Sequence, residues 1–209
     1  MTDPRVELVA RGYDAIAEEF AEWRDRIVGD PRLEWAEALA ARLDDGSRVL
    51  ELGCGAGTAE TQQLARRFRV TGVDVSTEQI ARARASVPEA EFLLGDFTSL
   101  ELARGSFEAV VSFYALNHVP RELLPGLFAD VRRWLVPGGL FLAALGASDN
   151  PGWEGESLGT ETYFSGYPPN VNRALLAEEG FELERDEVVT FREPDGDVTF
   201  HWILARSGR

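Results

Sequence analysis

Three glycines alternate directly after an apolar segment in the sequence RVLELGCGAGTAET, as Gly53, Gly55 and Gly57. Alternate glycines leave the backbone bare, so a ligand can approach the peptide groups of such a turn closely. The next apolar segment, RVTGVDVS, ends near Asp74, whose carboxylate can accept hydrogen bonds from both hydroxyls of a ribose. The turn and the acid together predict a site for a nucleoside.

The spacing of these glycines differs from that of the dinucleotide fingerprint. The pattern G-x-G-x-x-G requires a glycine at position 58, where this chain has Thr58. The spacing therefore argues against an oxidoreductase that uses NAD(P), although that class is kept as an alternative. P-loop and pyridoxal enzymes are excluded, because both need a lysine and all 21 basic residues of this chain are arginine.

The elements that must position this site follow from the apolar pattern. Between residues 47 and 145, short β-branched segments alternate with helical patterns, which predicts an α/β fold with a doubly wound, mostly parallel sheet. Ser76 and Gln79 form a capping box at the start of one helix. The predicted strands lie near 47–52, 69–74, 90–94, 107–113 and 139–145, and the helices near 58–67, 77–86 and 121–135.

The N-terminal segment has a helical pattern. Apolar residues from Val6 to Trp23 recur at steps of three and four behind Asp3 and Pro4, which predicts one amphipathic helix. A second predicted helix begins at Asp30 and ends before Gly46.

The C-terminal segment has a different composition. Residues 147–169 are rich in glycine and polar residues, and we predict a mobile lid loop there. A short helix near 170–179 and a C-terminal antiparallel hairpin around the turn EPDGD complete the chain. The lid is expected to close over a substrate or, alternatively, to pack against the edge of the sheet, through its aromatic residues Trp153, Tyr163, Phe164 and Tyr167.

Composition sets limits on the architecture and on the partners. A chain of 209 residues with 44% hydrophobic content predicts a single domain, with N-terminal helices (1–45), a ligand-binding core (46–146) and a lid, helix and hairpin (147–209). The net charge of −15 disfavours nucleic acid as a partner. No stretch reaches the roughly 18 apolar residues of a membrane span, and the N-terminus lacks a signal-peptide pattern. We therefore expect a cytoplasmic protein with no membrane partner, either a monomer or a homodimer.

The quoted segments resemble the ordered motifs of the class I S-adenosylmethionine-dependent methyltransferases. VLELGCGAGT is similar to their first motif, VTGVDVS to the second, FLLGDFTSL to the third and FEAVVSFYALNHVP to the fourth. WLVPGGLFLAAL is similar to the sequence that enters their fifth strand. The resemblance covers residues 45–146 and implies a Rossmann-like fold with S-adenosyl-L-methionine as the cofactor.

The resemblance also implies roles for particular residues. Asp74 would accept the ribose hydroxyls and Asp96 the adenine amino group, while Glu51 would hold the ammonium side indirectly. Milder interpretations stay open: the glycines only shape the turn, Asp96 only caps a loop, and Tyr13 packs in the core. Cys54 is interpreted as a small spacer rather than a nucleophile. The full set of implied cofactor-binding residues is Tyr13, Glu51, Gly53, Cys54, Gly55, Gly57, Asp74, Val75, Asp96, Phe97, Ser112 and Phe113.

Methyl transfer is a direct displacement that depends mainly on alignment. It needs a base only when the acceptor carries a proton that must leave. His118 is the candidate catalytic base, because an imidazole titrates near neutrality, whereas His201 is expected to be packed or half exposed. Arg24 and Arg26 are candidates to pair with the carboxylate of the cofactor, or are solvated surface charges.

The missing motifs narrow the class of acceptor. Related enzymes that methylate amines of nucleic acids or glutamine carry an Asn or Asp, two prolines and an aromatic residue after the fourth strand, where this chain reads SFYA. Metal-assisted catechol-type enzymes are matched only at Asp149 and Asn150, and the acid expected near Ser112 is absent. We therefore expect no metal and a small-molecule acceptor methylated at O, N or C. A protein that binds the cofactor without catalysis is the other alternative.

Overall fold

The computed structural model describes residues 3–208. Short 3-10 turns lie at Phe97–Ser99, Leu116–His118 and Arg121–Leu123. In chain order, the elements are α1 (Pro4–Ala15), α2 (Ala17–Arg24), α3 (Arg32–Ala40), β1 (Arg48–Leu52), α4 (Ala59–Ala65), β2 (Arg69–Asp74), α5 (Thr77–Ser86), β3 (Glu91–Leu94), β4 (Phe107–Ser112), α6 (Leu124–Trp134), β5 (Leu135–Gly146), β6 (Asn150–Ser157), β7 (Thr160–Gly166), α7 (Pro169–Glu178), β8 (Phe181–Glu193) and β9 (Gly196–Ser207).

Seven strands form the main sheet in the order β3-β2-β1-β4-β5-β9-β8. The pairs among β1 to β5 are parallel, whereas β9 is antiparallel to both β5 and β8. This confirms the predicted doubly wound sheet and the C-terminal antiparallel hairpin. The strand order reverses between β1 and β4, and in open α/β sheets a ligand crevice forms at such a point, beyond the carboxyl ends of the strands.

Apolar side chains cover both faces of the sheet. Leu50 and Leu52 of β1 pack on one face with α6, where Trp134 is fully buried. Val49 points to the other face, among Trp35 of α3 and Leu64 of α4. Burial on both faces explains why the central strands are almost uniformly apolar instead of alternating with polar residues.

The N-terminal helical segment contains a break that the apolar pattern does not predict. Asp3 caps α1 by accepting a hydrogen bond from the Arg5 backbone N–H at 2.9 Å, as expected. The predicted single helix is divided at Ile16, whose backbone leaves the helical region with φ −114° and ψ 19°. The Phe20 ring packs edge-on against Tyr13 at 5.0 Å. The break therefore separates α2 from α1 and still lets both helices contribute to the same aromatic wall.

The prediction of an irregular loop at residues 147–169 is wrong, because β6 and β7 pair there as an antiparallel hairpin. Its turn residues, Leu158 and Gly159, both have positive φ, at 53° and 79°. The hairpin packs against α1, where a Cβ at Gly12 would lie 2.9 Å from the Glu161 carbonyl oxygen. Backbone pairing and this close approach impose an order that the glycine-rich composition does not reveal.

The tip of the C-terminal hairpin is fixed to the N-terminal region. Val28, which follows α2, exchanges two backbone hydrogen bonds with Arg192 of β8, at 3.0 and 3.2 Å. The indole Nε1 of Trp23 donates to Asp195 at 2.8 Å. Within residues 3–208, none of the helices has the length and apolar character needed to cross a membrane.

Candidate active site

A cavity of about 520 Å³ opens where the strand order reverses. Its wall includes the glycine turn after β1, the ends of β2 and β4, and side chains of α1 and α2. The tips of the two antiparallel hairpins complete it. This volume lies within the range of about 300–1,000 Å³ that is usual for small-molecule sites.

The three alternate glycines have different roles in the turn. All have positive φ, at 72° for Gly53, 52° for Gly55 and 68° for Gly57. A Cβ at Gly53 would lie 2.1 Å from the Cβ of Ala115, and one at Gly57 would lie 2.9 Å from Val87 Cγ2. Gly53 and Gly55 line the cavity, whereas Gly57 does not and only shapes the turn.

Asp74 ends β2 and faces the cavity. Its Oδ2 accepts a hydrogen bond from the Gly55 backbone N–H at 2.9 Å, and its Oδ1 accepts one from the Ser76 N–H at 2.9 Å. Burial raises the pKa of Asp74, while these backbone hydrogen bonds oppose the shift. A carboxylate has about four acceptor positions, and these hydrogen bonds do not fill all of them, so Asp74 can also accept from a ligand.

Asp96 lies across the cavity at the start of the short turn Phe97–Ser99. Its Oδ1 accepts hydrogen bonds from the backbone N–H and the hydroxyl of Thr98, at 2.8 and 2.7 Å. Asp96 therefore caps this turn through Oδ1. Within the described chain, its Oδ2 forms no hydrogen bond. Of the residues that the resemblance implies for cofactor binding, Asp96, Phe97, Val75 and Phe113 line the cavity.

Tyr13 and His118 form a hydrogen-bonded pair at the wall of the cavity. The Tyr13 hydroxyl lies 2.9 Å from His118 Nε2, and His118 Nδ1 lies 2.8 Å from the Tyr163 carbonyl oxygen. A carbonyl only accepts, so Nδ1 carries the hydrogen and Nε2 accepts from Tyr13. Burial lowers the pKa of His118 to about 4. Burial and the charges of Asp74 and Glu193 raise the pKa of Tyr13.

Two residues predicted to bind the cofactor, Glu51 and Ser112, do not line the cavity. The alternation of β1 turns Glu51 towards α4, where its Oε1 accepts a hydrogen bond from the Thr61 hydroxyl at 3.1 Å. Burial raises the pKa of Glu51 well above its ordinary value. The Ser112 hydroxyl donates to the Leu52 carbonyl at 2.9 Å and so joins β4 to β1.

Cys54 lines the cavity, and burial raises the pKa of its thiol well above the ordinary value. A buried thiol of this kind is a poor nucleophile, because the thiolate is the reactive form. This environment agrees with the interpretation of Cys54 as a small spacer.

Several polar residues of the cavity wall were not assigned to the site from sequence, among them Gln79, Asn117 and Thr162. Gln79 Nε2, Asn117 Oδ1 and Thr162 Oγ1 are buried and lack a hydrogen-bond partner within residues 3–208. Buried polar atoms are nearly always paired, so these three fit a polar ligand held in the cavity. Asn117 lies in the fourth quoted motif and Thr162 in the predicted lid, but neither was singled out, and Gln79 was predicted only to cap α5.

Tyr114 follows β4 with a φ of 63°, a left-handed conformation that is rare for a bulky residue. Its hydroxyl donates to Asp30 at 2.6 Å, and its ring packs against Phe200 at 4.6 Å. Strained backbone at a cavity is a feature of functional sites. The conformation turns the chain so that Tyr114 joins the cavity wall.

Asp149 and Asn150, the two residues that match metal-assisted catechol-type enzymes, do not line this cavity. Asp149 is exposed and pairs with Arg121 at 2.5 Å, and the Asn150 side chain donates to the Phe164 carbonyl. In the part of the chain that the structure describes, no group of three or more His, Cys, Asp or Glu side chains is arranged to hold a metal ion.

Comparison with known proteins now identifies the fold family. Residues 49–139 match the family model described as "Methyltransferase domain", and this match spans the glycine turn, Asp74, Asp96 and His118. The matched segment is thus similar to the class I S-adenosylmethionine-dependent methyltransferases. The resemblance inferred from the sequence motifs is therefore confirmed.

Curated relatives that match this segment are named as methyltransferases of different acceptors. The demethylmenaquinone methyltransferase of Beutenbergia cavernae is 34% identical over 136 residues, which cover 65% of this chain and 54% of that protein. The chain spans about half the length of the curated relatives it matches, from 44% to 54% for three of them.

Solved structures share the fold at low sequence identity. The 1,6-didemethyltoxoflavin-N1-methyltransferase of Burkholderia thailandensis has a TM-score of 0.67 at 20% identity, covering 96% of this chain and 91% of that one. The [4+2]-cyclase SpnF has a TM-score of 0.73 at 19% identity, covering 95% and 94%. A cyclase with this architecture shows that the fold alone does not fix the reaction.

Proposed function

We propose that this protein is an enzyme that transfers the methyl group of S-adenosylmethionine to a small, largely apolar molecule, without a metal ion. One observation carries the proposal: a single cavity joins a nucleoside-type site to an aromatic wall. The nucleoside-type site is formed by Gly53, Asp74 and Asp96. The aromatic wall is formed by Tyr13, Phe20, Trp23, Tyr114, Phe164 and Phe200.

The cofactor would be held by groups that match its hydrogen-bonding capacity. Asp74 would accept the ribose hydroxyls, and the free Oδ2 of Asp96 would accept the adenine amino group. Gln79 Nε2 is an unused donor in the same part of the cavity. When bound, S-adenosylmethionine supplies a methyl group on a sulfonium, which leaves readily without metal assistance. The task of this chain is then alignment, which can lower a barrier by about 7–11 kcal/mol.

Tyr13 and His118 would remove a proton from an acceptor that carries one. The acceptor proton moves to the Tyr13 oxygen while the Tyr13 proton moves to His118 Nε2. The low pKa of His118 keeps Nε2 unprotonated at neutral pH, and it also makes Nε2 a weak base, so the proton would move only as the methyl group is transferred. The Tyr163 carbonyl holds Nδ1–H throughout and fixes the ring orientation.

The acceptor would be small because hairpin tips and helices limit the cavity on several sides. The net charge of −15 also disfavours a nucleic acid acceptor. The aromatic wall favours a planar, largely apolar molecule, since aromatic side chains pack well on flat rings.

Calorimetric titration of the demethylated product, S-adenosylhomocysteine, tests the proposal directly. We expect saturable binding that is at least about tenfold weaker in Asp74→Asn, since a charge-assisted hydrogen bond is lost. Asp130→Asn is the matched control, because Asp130 pairs with Arg133 on α6 and does not line the cavity. Saturable binding of NAD with no heat from S-adenosylhomocysteine would overturn the proposal. Cofactor binding without transfer to any acceptor in a mass-spectrometric screen would instead indicate a binding protein.

A further inference from the structure

Glu193 ends β8 and lines the cavity from the tip of the C-terminal hairpin. The residue is half-buried. Within residues 3–208, its carboxylate forms neither a hydrogen bond nor an ion pair, and the nearby acids Asp30 and Asp195 add repulsion. An unpaired, partly desolvated carboxylate is costly unless a ligand compensates it.

The position of Glu193 is fixed by its neighbours in the chain. Arg192 forms the two backbone hydrogen bonds with Val28, and Asp195 accepts the hydrogen bond from Trp23 Nε1 at 2.8 Å. The hairpin tip is therefore held beside α2 and the loop that follows it. Glu193 cannot be treated as an exposed surface charge, because both flanking segments anchor it at the cavity.

The basic residues of the cavity wall do not neutralise Glu193. Two arginines line the cavity, Arg24 and Arg32. Arg32 pairs with Asp30 at 2.5 Å and with Glu60 at 3.0 Å, which balances its charge. The Arg24 guanidinium lies 3.6 Å from Asp25. Each arginine thus has an acidic partner of its own. Arg32 also attracts Glu193 electrostatically, but within residues 3–208 no basic side chain forms an ion pair with Glu193.

Aromatic rings provide flat surfaces in the same part of the cavity. Phe20 and Trp23 of α2 stack with centroids 5.9 Å apart, and Tyr114 packs against Phe200 at 4.6 Å. All four residues line the cavity. Aromatic faces attract cations as well as flat rings, so they complement a carboxylate in binding an organic cation.

We infer that Glu193 binds a protonated nitrogen of the methyl acceptor, and that the acceptor is an aromatic or heteroaromatic ring that carries an alkylamine group. The inference rests on the proposed function, because it names the acceptor class of the same cavity. The nitrogen held by Glu193 is a recognition group. A different atom of the acceptor faces Tyr13 and His118 and takes the methyl group. Burial and the charges of Asp30 and Asp195 raise the pKa of Glu193 to about 7, and an ammonium ion beside it would reverse that shift.

The test compares pairs of ligands in which an alcohol group replaces the protonated amine. Tryptamine and tryptophol, 2-phenylethylamine and 2-phenylethanol, and tyramine and tyrosol are titrated into the full chain saturated with S-adenosylhomocysteine. We expect the amine to bind at least about tenfold more tightly than its alcohol in one or more pairs. Glu193→Gln should reduce that preference to about twofold or less. Asp197→Asn is the matched control, because Asp197 lies on the same hairpin, is exposed and pairs with Arg192 instead.

Two outcomes overturn the inference: no amine preference in any of the three pairs, or a preference that Glu193→Gln leaves unchanged. Circular dichroism of each variant confirms that the chain is folded. Binding of S-adenosylhomocysteine in the same samples separates the two proposals. If it binds and no amine is preferred, only the acceptor class is wrong, whereas failure of the cofactor product to bind overturns the proposed function as well.

Discussion

The Tyr13 hydroxyl and His118 Nε2 lie 2.9 Å apart, although 105 positions separate the two residues in the chain. This hydrogen bond connects α1 to the turn that follows β4. The other ring nitrogen of His118 is held by β7 through the Tyr163 carbonyl. Three distant segments therefore meet at one imidazole, and the proposed proton transfer depends on all three being docked.

Tyr13→Phe should reduce kcat by about 10²-fold while the affinity for S-adenosylhomocysteine changes by about twofold or less. The substitution removes the hydroxyl that would carry the proton, and general acid–base catalysis typically contributes about 10²–10⁴-fold. Steady-state kinetics with an acceptor that the wild-type protein methylates would measure the effect. Tyr167→Phe is the control, since Tyr167 packs against the core and under Arg121 and does not line the cavity. An equal loss of kcat and of cofactor affinity would assign Tyr13 to cofactor binding instead.

His118→Asn should remove a pH-dependent part of the stability. Folding lowers the pKa of His118 from 6.5 to about 4, so the unfolded chain takes up a proton first as the pH falls. The stabilisation is complete above pH 6.5 and is lost towards pH 4, for a total of about 3 kcal/mol. Asparagine can keep the donor to the Tyr163 carbonyl but has no atom at the position of Nε2.

Urea unfolding at pH 7.5 and 4.5 would measure this effect. The quantity to compare is the free energy of unfolding of the wild type minus that of His118→Asn. The difference should shrink by about 2–3 kcal/mol at the lower pH. Burial also lowers the pKa of His201, and this contribution cancels because both proteins retain that residue. A difference that is the same at both pH values would contradict the prediction.

Gly53→Ala should destabilise the protein much more than Gly46→Ala. Both glycines have left-handed backbones, with φ of 72° and 82°, so each substitution introduces strain of about 1–2 kcal/mol. Only at Gly53 would the new methyl group collide with a neighbour, the Ala115 Cβ at 2.1 Å. At Gly46, no atom lies within 4 Å of the new methyl group. Overpacking should add about 1–3 kcal/mol or more to the cost at Gly53, measured by urea unfolding. Equal losses would show that the turn can relax away from Ala115.

Hydrogen exchange should divide the β6–β7 hairpin into two parts. Residues 161–166 pair with β6 and pack near α1, so their amides should be protected without a ligand. Ser157, Leu158 and Thr160 line the cavity at the tip, and protection there should rise when S-adenosylhomocysteine and an acceptor bind. Rapid exchange along the whole of 150–166 in the free protein would restore the mobile lid predicted from the sequence.

The aromatic residues of this segment differ in what they contact. Phe164 lines the cavity, whereas Trp153 stacks on Phe164 at 5.8 Å and is 45% exposed. Tyr163 is buried. Of the four residues expected to close over the acceptor, only Phe164 therefore lines the cavity.

The parts of the site predicted from sequence are those encoded by local patterns. Buried strands are short apolar runs, and the ligand-binding turn comes directly after β1, so Gly53, Gly55 and Asp74 could be located without a structure. The bounds of β2 agree for the same reason, since it spans Arg69–Asp74 as predicted, whereas β5 begins at Leu135, four residues before its predicted start. In a parallel sheet, the carboxyl ends of neighbouring strands lie together, which places Asp74 beside the glycine turn.

The other features of the fold and the site were decided by tertiary packing. The pairing of β6 with β7 depends on backbone hydrogen bonds, which leave no periodic trace in a glycine-rich segment. Glu51 and Ser112 sit on apolar strands that are buried on both faces, so composition could not show which side each faces. Tyr13 and His118 meet only because α1 docks over the sheet, and Glu193 reaches the cavity only because the hairpin tip is anchored beside α2. Such contacts join residues far apart in the chain, and their geometry is fixed by the packing of whole elements rather than by local sequence.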